Sequence, residues 1–313
     1  MAQTVLLPRR PLGQTGLEVT SLSIGCSLMG NMPETFGYTV AEEQALSTIR
    51  ALFDSPINFL DTAASYGDGE SERRLGIVLR EYGGLPEGMV LSTKADRDLR
   101  TGEFTGAQIR RSIERSLRLL GLQQFQIVYL HDPEHITFEE AMAPGGPVDV
   151  LQQYHNEGLI AHLGIAGGPI ELMARFVETG VFEVAISHNR YTLLNTEADP
   201  FWDLCLKHGV AAINAAPYGS GILAKGPSAY PRYMYADADP LFVERARLAE
   251  ALCQCYEIPL AAAALQFSLR DARIVSTIVG ISRPERIAET IALAQHAIPE
   301  EFWTEFTVLA EKW

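Results

Sequence analysis

The chain has 313 residues, 47% hydrophobic and 20% charged, a composition that supports a large buried core and gives no sign of disorder. Its formal net charge of −14 leaves no broad basic field, so nucleic acid and anionic membranes are poor partners and a small molecule is the expected ligand. Four scattered cysteines make no disulfide framework, and no stretch approaches the roughly 20 apolar residues of a membrane span, so a reduced, cytoplasmic protein is expected.

In chain order, short strands near Leu6 and Val19 are expected to form a hairpin ahead of eight apolar runs. The runs are Ser21–Gly25, Ile57–Leu60, Met89–Thr93, Ile127–Leu130, Ile160–Ile165, Val184–Ser187, Val210–Asn214 and Ser276–Val279. Helical patterns such as Ala41–Phe53, Ser71–Arg80, Ala107–Leu120 and Pro284–Ala294 separate them, with apolar residues three and four apart. Strands that are apolar throughout suit a parallel sheet covered by helices, and parallel neighbours need crossover helices. Eight such units predict an α/β fold, a closed (β/α)8 TIM barrel forming one domain over residues 1–313; an open doubly wound sheet is the structural alternative. Cys253 and Cys255, two apart in a helical pattern, should face different sides rather than share a metal. The segments Met29–Tyr38, Asp132–Pro147 and Tyr218–Pro240 should frame the barrel mouth, and Trp202, Tyr230, Tyr233 and Tyr235 are candidate walls.

In such a barrel the reactive groups sit at the carboxyl ends of strands. The second strand ends NFLDTAASYG, which places Asp61 at its tip and Tyr66 just beyond; the third ends LSTK at Lys94, and the fourth VYLH at His131. Each alone could be a cap or a solvated strand end. Together they make a proton-transfer device: a phenol, with its ordinary pKa near 10, needs neighbours to work near neutrality. Lys94 would stabilise the phenolate, Asp61 would hold Lys94, and His131 would orient the substrate oxygen.

The run NFLDTAASYGDGESERRLG, then LSTK, then VYLHDPE, resembles the aldo-keto reductase family in order and over nearly the whole length, as do LGQTGLEVTSLSIGCSLMG and IVGISRPERIAE. The resemblance implies catalytic Asp61, Tyr66, Lys94 and His131, and a nicotinamide cofactor held without a G-x-G-x-x-G turn. The stretches ISHNRYTLLN and NAAPYGSGILAKG are most similar to aldose 1-dehydrogenases and pyridoxal 4-dehydrogenase, which implies hydride transfer from C1 of a cyclic sugar and lactone formation. Carried over, the cofactor contacts fall on Ala166 and Gly167, where the family has Ser-Asn; on His188 or Asn189, near its Gln; and on Ala215 at its stacking aromatic, with Asn214 or Tyr218 compensating. They continue with Gly221, then Gly280 and Ser282 leading into a helix whose start suits a phosphate. Arg283 and Arg286 favour NADP, Glu289 opposes it, and the oxidative relatives tilt the balance to NAD.

Three alternatives stay open: a reductase of small aldehydes using NADPH, a non-catalytic cofactor-binding regulatory subunit, and a metal-dependent hydrolase built on His131, Asp132, Glu134 and His135. A metal is not expected, because such sites collect ligands from several strands and these four follow one.

Overall fold

The protein is described here by a computed structural model covering residues 7–313. Eight parallel strands form the barrel: β1 (Leu22–Gly25), β2 (Phe59–Asp61), β3 (Val90–Ala95), β4 (Phe125–His131), β5 (Ile160–Gly167), β6 (Val184–His188), β7 (Ala211–Ala215) and β8 (Ile274–Gly280). The sheet closes because β8 pairs with β1, Thr277 beside Leu22 and Gly280 beside Gly25, which excludes the open-sheet alternative. Phe59, Val90, Ile127, Tyr129, Ile186, Ile213 and Ile278 fill the barrel interior, and a larger apolar layer lies between strands and helices. That arrangement explains why the strands read as unbroken apolar runs: both faces are covered.

The longer helices are α1 (Glu42–Phe53), α2 (Glu70–Glu81), α3 (Gly106–Leu120), α4 (Pro147–Asn156), α5 (Ile170–Glu178), α6 (Asp199–His208), α7 (Pro240–Cys255), α8 (Leu260–Leu269), α9 (Glu285–Ala294) and α10 (Glu300–Ala310). The local rules are visible in α3, where Thr105 caps the start by accepting from Gln108 N, Gly121 in the left-handed region ends it, and Ile109, Ile113 and Leu120 form the buried stripe. Cys253 on α7 is buried and Cys255 is exposed. Among the described residues no single helix is long and apolar enough to cross a membrane.

An antiparallel hairpin of Arg9–Pro11 and Glu18–Thr20 precedes the barrel; Leu6 lies outside the described residues. The buried Asn58 holds it, accepting from Thr20 N at 2.7 Å and donating to Glu18 O and Gly88 O at 2.8 and 2.9 Å. Arg10 donates to Ile274 O and Leu269 O. Asn58, Gly88 and Ile274 lie at or just before strand starts and Leu269 ends the helix leading into β8, so the hairpin closes the end opposite the mouth.

Two of the mouth segments contain regular structure of their own. Asp132–Pro147 holds a one-turn helix, Pro133–His135, and a short helix, Phe138–Met142, started by a capping box between Thr137 and Glu140. Tyr218–Pro240 holds the short helix Ile222–Lys225 and a hairpin of Arg232–Tyr233 against Ala236–Asp237.

Candidate active site

Parallel registration brings the ends of β2, β3 and β4 side by side, with Asp61 opposite Ser92 and Lys94 opposite Tyr129. The Lys94 ammonium, 2% exposed, uses its three donors on Asp61 Oδ2 at 2.5 Å, Thr62 O at 2.8 Å and Tyr66 Oη at 3.0 Å. Ser92 Oγ donates to the second Asp61 oxygen at 2.7 Å. Burial alone would discharge the lysine, but Asp61 and Tyr66 outweigh it and hold its pKa above the ordinary value. The positive charge therefore stays beside the phenol.

Tyr66 lies in the turn between β2 and α2, and close backbone contact fixes that turn. A Cβ on Gly67 would lie 1.9 Å from Gly30 O, and one on Gly30 would lie 2.7 Å from Tyr66 O, so only glycine fits at either position. The start of α2 adds two ties: Ser71 Oγ donates to Cys26 O at 2.7 Å, and the buried Arg74 donates to Met29 O at 2.9 Å and Val40 O at 3.1 Å. Burial raises the Tyr66 pKa; Lys94 pulls it down and Asp61 pushes it back up. The phenol thus holds its proton at neutral pH while touching a cation able to stabilise its loss.

His131 stands edge-on to Tyr66, with ring centres 5.9 Å apart. Its Nδ1 faces Asp96 Oδ1 at 2.6 Å, so the imidazole donates there and Nε2 is left toward the mouth. Burial lowers its basicity, but Asp132 and Asp96 together raise it above the ordinary value. Asp132 Oδ1 lies 3.5 Å from Nε2 and its backbone is left-handed at φ 44, a strain kept at the end of β4.

Two supporting residues escaped the sequence reading. Asp96, two residues past Lys94, also accepts from Ser65 N at 2.9 Å and so joins the Tyr66 turn to the His131 ring. The signal was present in LSTKAD, a second carboxylate at the same strand end. Glu72, completely buried on α2, ties β3 and α3 together by accepting from Thr93 Oγ1 at 2.6 Å and from Ser116 Oγ at 3.0 Å. Burial pushes its carboxyl up to about 7.

The four expected catalytic residues lie along a cavity of about 800 Å³, with Asp96 and Glu72 behind its wall. Asp61, Tyr66, Lys94 and His131 line it, and so do Ala166, Gly167, His188, Ala215, Gly221, Gly280, Ser282, Arg283 and Arg286. Three expected contacts do not. Asn214 is buried on the other side of β7, donating to Tyr191 O at 2.9 Å and Ser268 Oγ at 2.8 Å. Asn189, left-handed at φ 60, turns its amide onto His188 Nδ1 at 3.1 Å. Glu289 pairs with Arg286 at 3.1 Å. Of the candidate walls, Tyr230 and Tyr235 line the cavity, whereas Trp202 and Tyr233 are buried in the packed cores. No three His, Cys, Asp or Glu side chains gather as metal ligands among the described residues.

The model of the aldo/keto reductase family matches residues 22–311. The chain belongs to that family. It is similar to pyridoxal 4-dehydrogenase of Microbacterium luteolum (30% identical, 95% of each chain covered), D-threo-aldose 1-dehydrogenase of a Pseudomonas species (31%, 93% of this chain and 94% of the relative) and L-galactose dehydrogenase of Arabidopsis thaliana (30%, 90% and 86%). In fold it matches an aldo-keto reductase from Bacillus halodurans in its holo form at a TM-score of 0.78 and 20% identity, over 97% of this chain and 96% of that one. As an aldo-keto reductase with dehydrogenase relatives, the chain is an NAD(P)-dependent oxidoreductase.

The cavity's own residues fit such a cofactor. The Tyr218 hydroxyl is buried without a hydrogen-bond partner, with Arg286 close enough to lower its pKa, which burial raises. Ser282 and Arg283 lead into the start of α9, where free amides suit an anion. At Gly167, where the sequence resemblance led to an expected Asn, a Cβ would lie 2.9 Å from Pro133 Cδ and 3.2 Å from Glu134 Oε2. Pro133 and Glu134 take the room that a side chain at 167 would need.

Proposed function

We propose that this aldo-keto reductase is a cytoplasmic sugar 1-dehydrogenase that carries a lactol to a lactone, or a related alcohol to its aldehyde, with Tyr66 as general acid and base. The observation that carries the reading is the single Lys94 ammonium in contact with both Asp61 and Tyr66, beside His131, in one cavity. The three dehydrogenase relatives support the oxidising direction and a substrate rich in hydroxyls.

Bound in the cavity, the oxidised nicotinamide supplies a hydride acceptor and a positive charge. With Lys94 and the added positive charge favouring ionisation, Tyr66 would first release its proton to solvent; as phenolate its Oη then takes the C1 hydroxyl proton, while His131 Nε2 hydrogen-bonds the same oxygen. Reduction follows the same groups in reverse, with Tyr66 as donor. Glu134 is the acceptor we assign to the carboxamide amine in place of the family's Asn. Ser282, Arg283 and Tyr218 would hold the dinucleotide's phosphates. NAD is favoured over NADP because Glu289 already engages Arg286, leaving it less free for a second phosphate.

The test is absorbance at the reduced-nicotinamide band, with NAD or NADP and L-fucose, L-galactose, D-arabinose, pyridoxal and simple aldehydes, run in both directions. Oxidation of a sugar with NAD is expected. Reduction of simple aldehydes by NADPH alone would replace this reading with that of a carbonyl reductase. Bound cofactor without turnover of any panel member would point to the regulatory subunit.

A further inference from the structure

The hairpin in the β7–α7 connection holds a feature that its own folding does not require. Arg232 pairs with Asp237 and Tyr233 with Ala236, so the turn is the two residues Met234 and Tyr235, at φ 52 and 65. Two consecutive left-handed residues suit a two-residue hairpin, but Asn and Gly normally fill those places because a larger side chain is strained there. The surroundings hold the strained turn. Ser220 Oγ accepts from Tyr235 N at 2.8 Å, Arg232 donates to Tyr235 O at 2.7 Å, and Tyr233 Oη donates to Asn189 O at 2.6 Å, locking the hairpin to the end of β6. The effect is to place a tyrosine in the mouth. Its ring lies edge-on to Phe36 with centres 6.1 Å apart and 6.3 Å from the His188 ring, it lines the cavity with Tyr66 and Asp132, and it remains 39% exposed.

We propose that Tyr235 is a specificity-determining residue: braced edge-on by Phe36, its ring is the aromatic face on which a ring-shaped substrate lies, while the Asp132 carboxylate accepts the ring's hydroxyls. Strain that the fold keeps but does not need is expected where it serves binding. Flat aromatic area at low entropic cost suits the apolar C–H face of a sugar ring or the plane of a heteroaromatic ring. Asp132, strained in turn at the end of β4, stays ionised and acts only as an acceptor, because His131, His188 and Arg97 outweigh its burial. Such a face gains nothing from a short acyclic aldehyde. The selectivity is therefore for cyclic, hydroxyl-bearing substrates, a refinement that rests on the dehydrogenase reading above.

The experiment is calorimetric titration of cofactor-loaded protein with L-fucose, pyridoxal and glyceraldehyde, together with kcat and KM for each that turns over. Tyr235→Ala is expected to weaken ring ligands about tenfold while glyceraldehyde changes less than about twofold, and Tyr235→Phe to restore most of the ring affinity. The effect should fall on KM more than on kcat, with cofactor affinity unchanged. Equal losses for ring and acyclic probes, or a loss confined to cofactor affinity, would overturn the proposal and leave Tyr235 as loop packing. Asp132→Asn should discriminate in the same sense and to a smaller extent. A protein that binds L-fucose without oxidising it would refute the dehydrogenase reading and leave this one standing; binding of neither L-fucose nor pyridoxal would overturn this one.

Discussion

The two halves of the mouth are built differently. At the ends of β2 to β4, Lys94 uses all three donors, both Asp61 oxygens accept, and Asp96 accepts from the Tyr66 turn and the His131 ring. Around β6 and β7, by contrast, Ser187 Oγ, Asn214 Oδ1 and Tyr218 Oη are buried without partners, and Asn189, Ala216, Ser220, Met234 and Tyr235 are left-handed without being glycine. Buried polar groups left unpaired cost free energy, and so does such backbone. The first half is nearly complete by itself, with the unpartnered Tyr129 Oη and the left-handed Asp132 as its exceptions; the second carries more strain, and of its unmet hydrogen bonds the one at Tyr218 faces the cavity, where a bound molecule can relieve it. Fixed proton-transfer chemistry needs the first kind of construction, and recognition of a ligand needs the second.

The largest test of this contrast is Tyr66→Phe, which removes one oxygen from the nearly complete half. It should lower kcat about a thousandfold while cofactor affinity by fluorescence titration barely changes; retained turnover would remove Tyr66 from the mechanism. Gly67→Ala attacks the same half without touching a reacting group. Its Cβ collides with Gly30 O at a left-handed position, so Tyr66 must move, and kcat should fall about a hundredfold. An unchanged kcat would mean the turn tolerates more freedom than the contact implies.

Lys94→Met tests the electrostatics. The lysine pulls the Tyr66 pKa down, so without it the phenol titrates higher, and the pH profile of sugar oxidation should move upward with about a tenfold loss at pH 7. An unshifted profile would show that Lys94 only holds geometry. The smallest effect should come from the incomplete half. Tyr218→Phe deletes a hydroxyl that has no partner, so thermal stability without ligand should hold or rise, by less than about 1 kcal/mol, while cofactor binding weakens about fivefold. A clear loss of stability in that variant would break the contrast.

The same division governs what could be read from the sequence. A strand end is a position in space once the barrel is recognised, so Asp61, Lys94 and His131 were legible from NFLD, LSTK and VYLH. Asp96 was harder: its link to His131 joins positions 35 apart in the chain, and only lateral registration reveals it. At β7 the sequence left open which of two neighbours faces the mouth. Successive side chains on a strand point to opposite sides, so with Ala215 lining the cavity Asn214 turns toward Ser268. The hairpin carrying Tyr235 gave no turn signal, because its turn is Met-Tyr rather than Asn-Gly.

The closure of β8 onto β1 sets Gly280 beside Gly25, joining residues more than 250 positions apart in the chain, and both line the cavity. A ligand lying along that cavity therefore spans the seam where the barrel's first and last strands meet. Its binding should act as a removable staple across the seam: at a hundred times its dissociation constant the ligand adds about 2.7 kcal/mol to the folded state. Resistance to unfolding would then track the supply of cofactor in the surroundings, making the enzyme's lifetime, and not only its rate, a function of nicotinamide concentration.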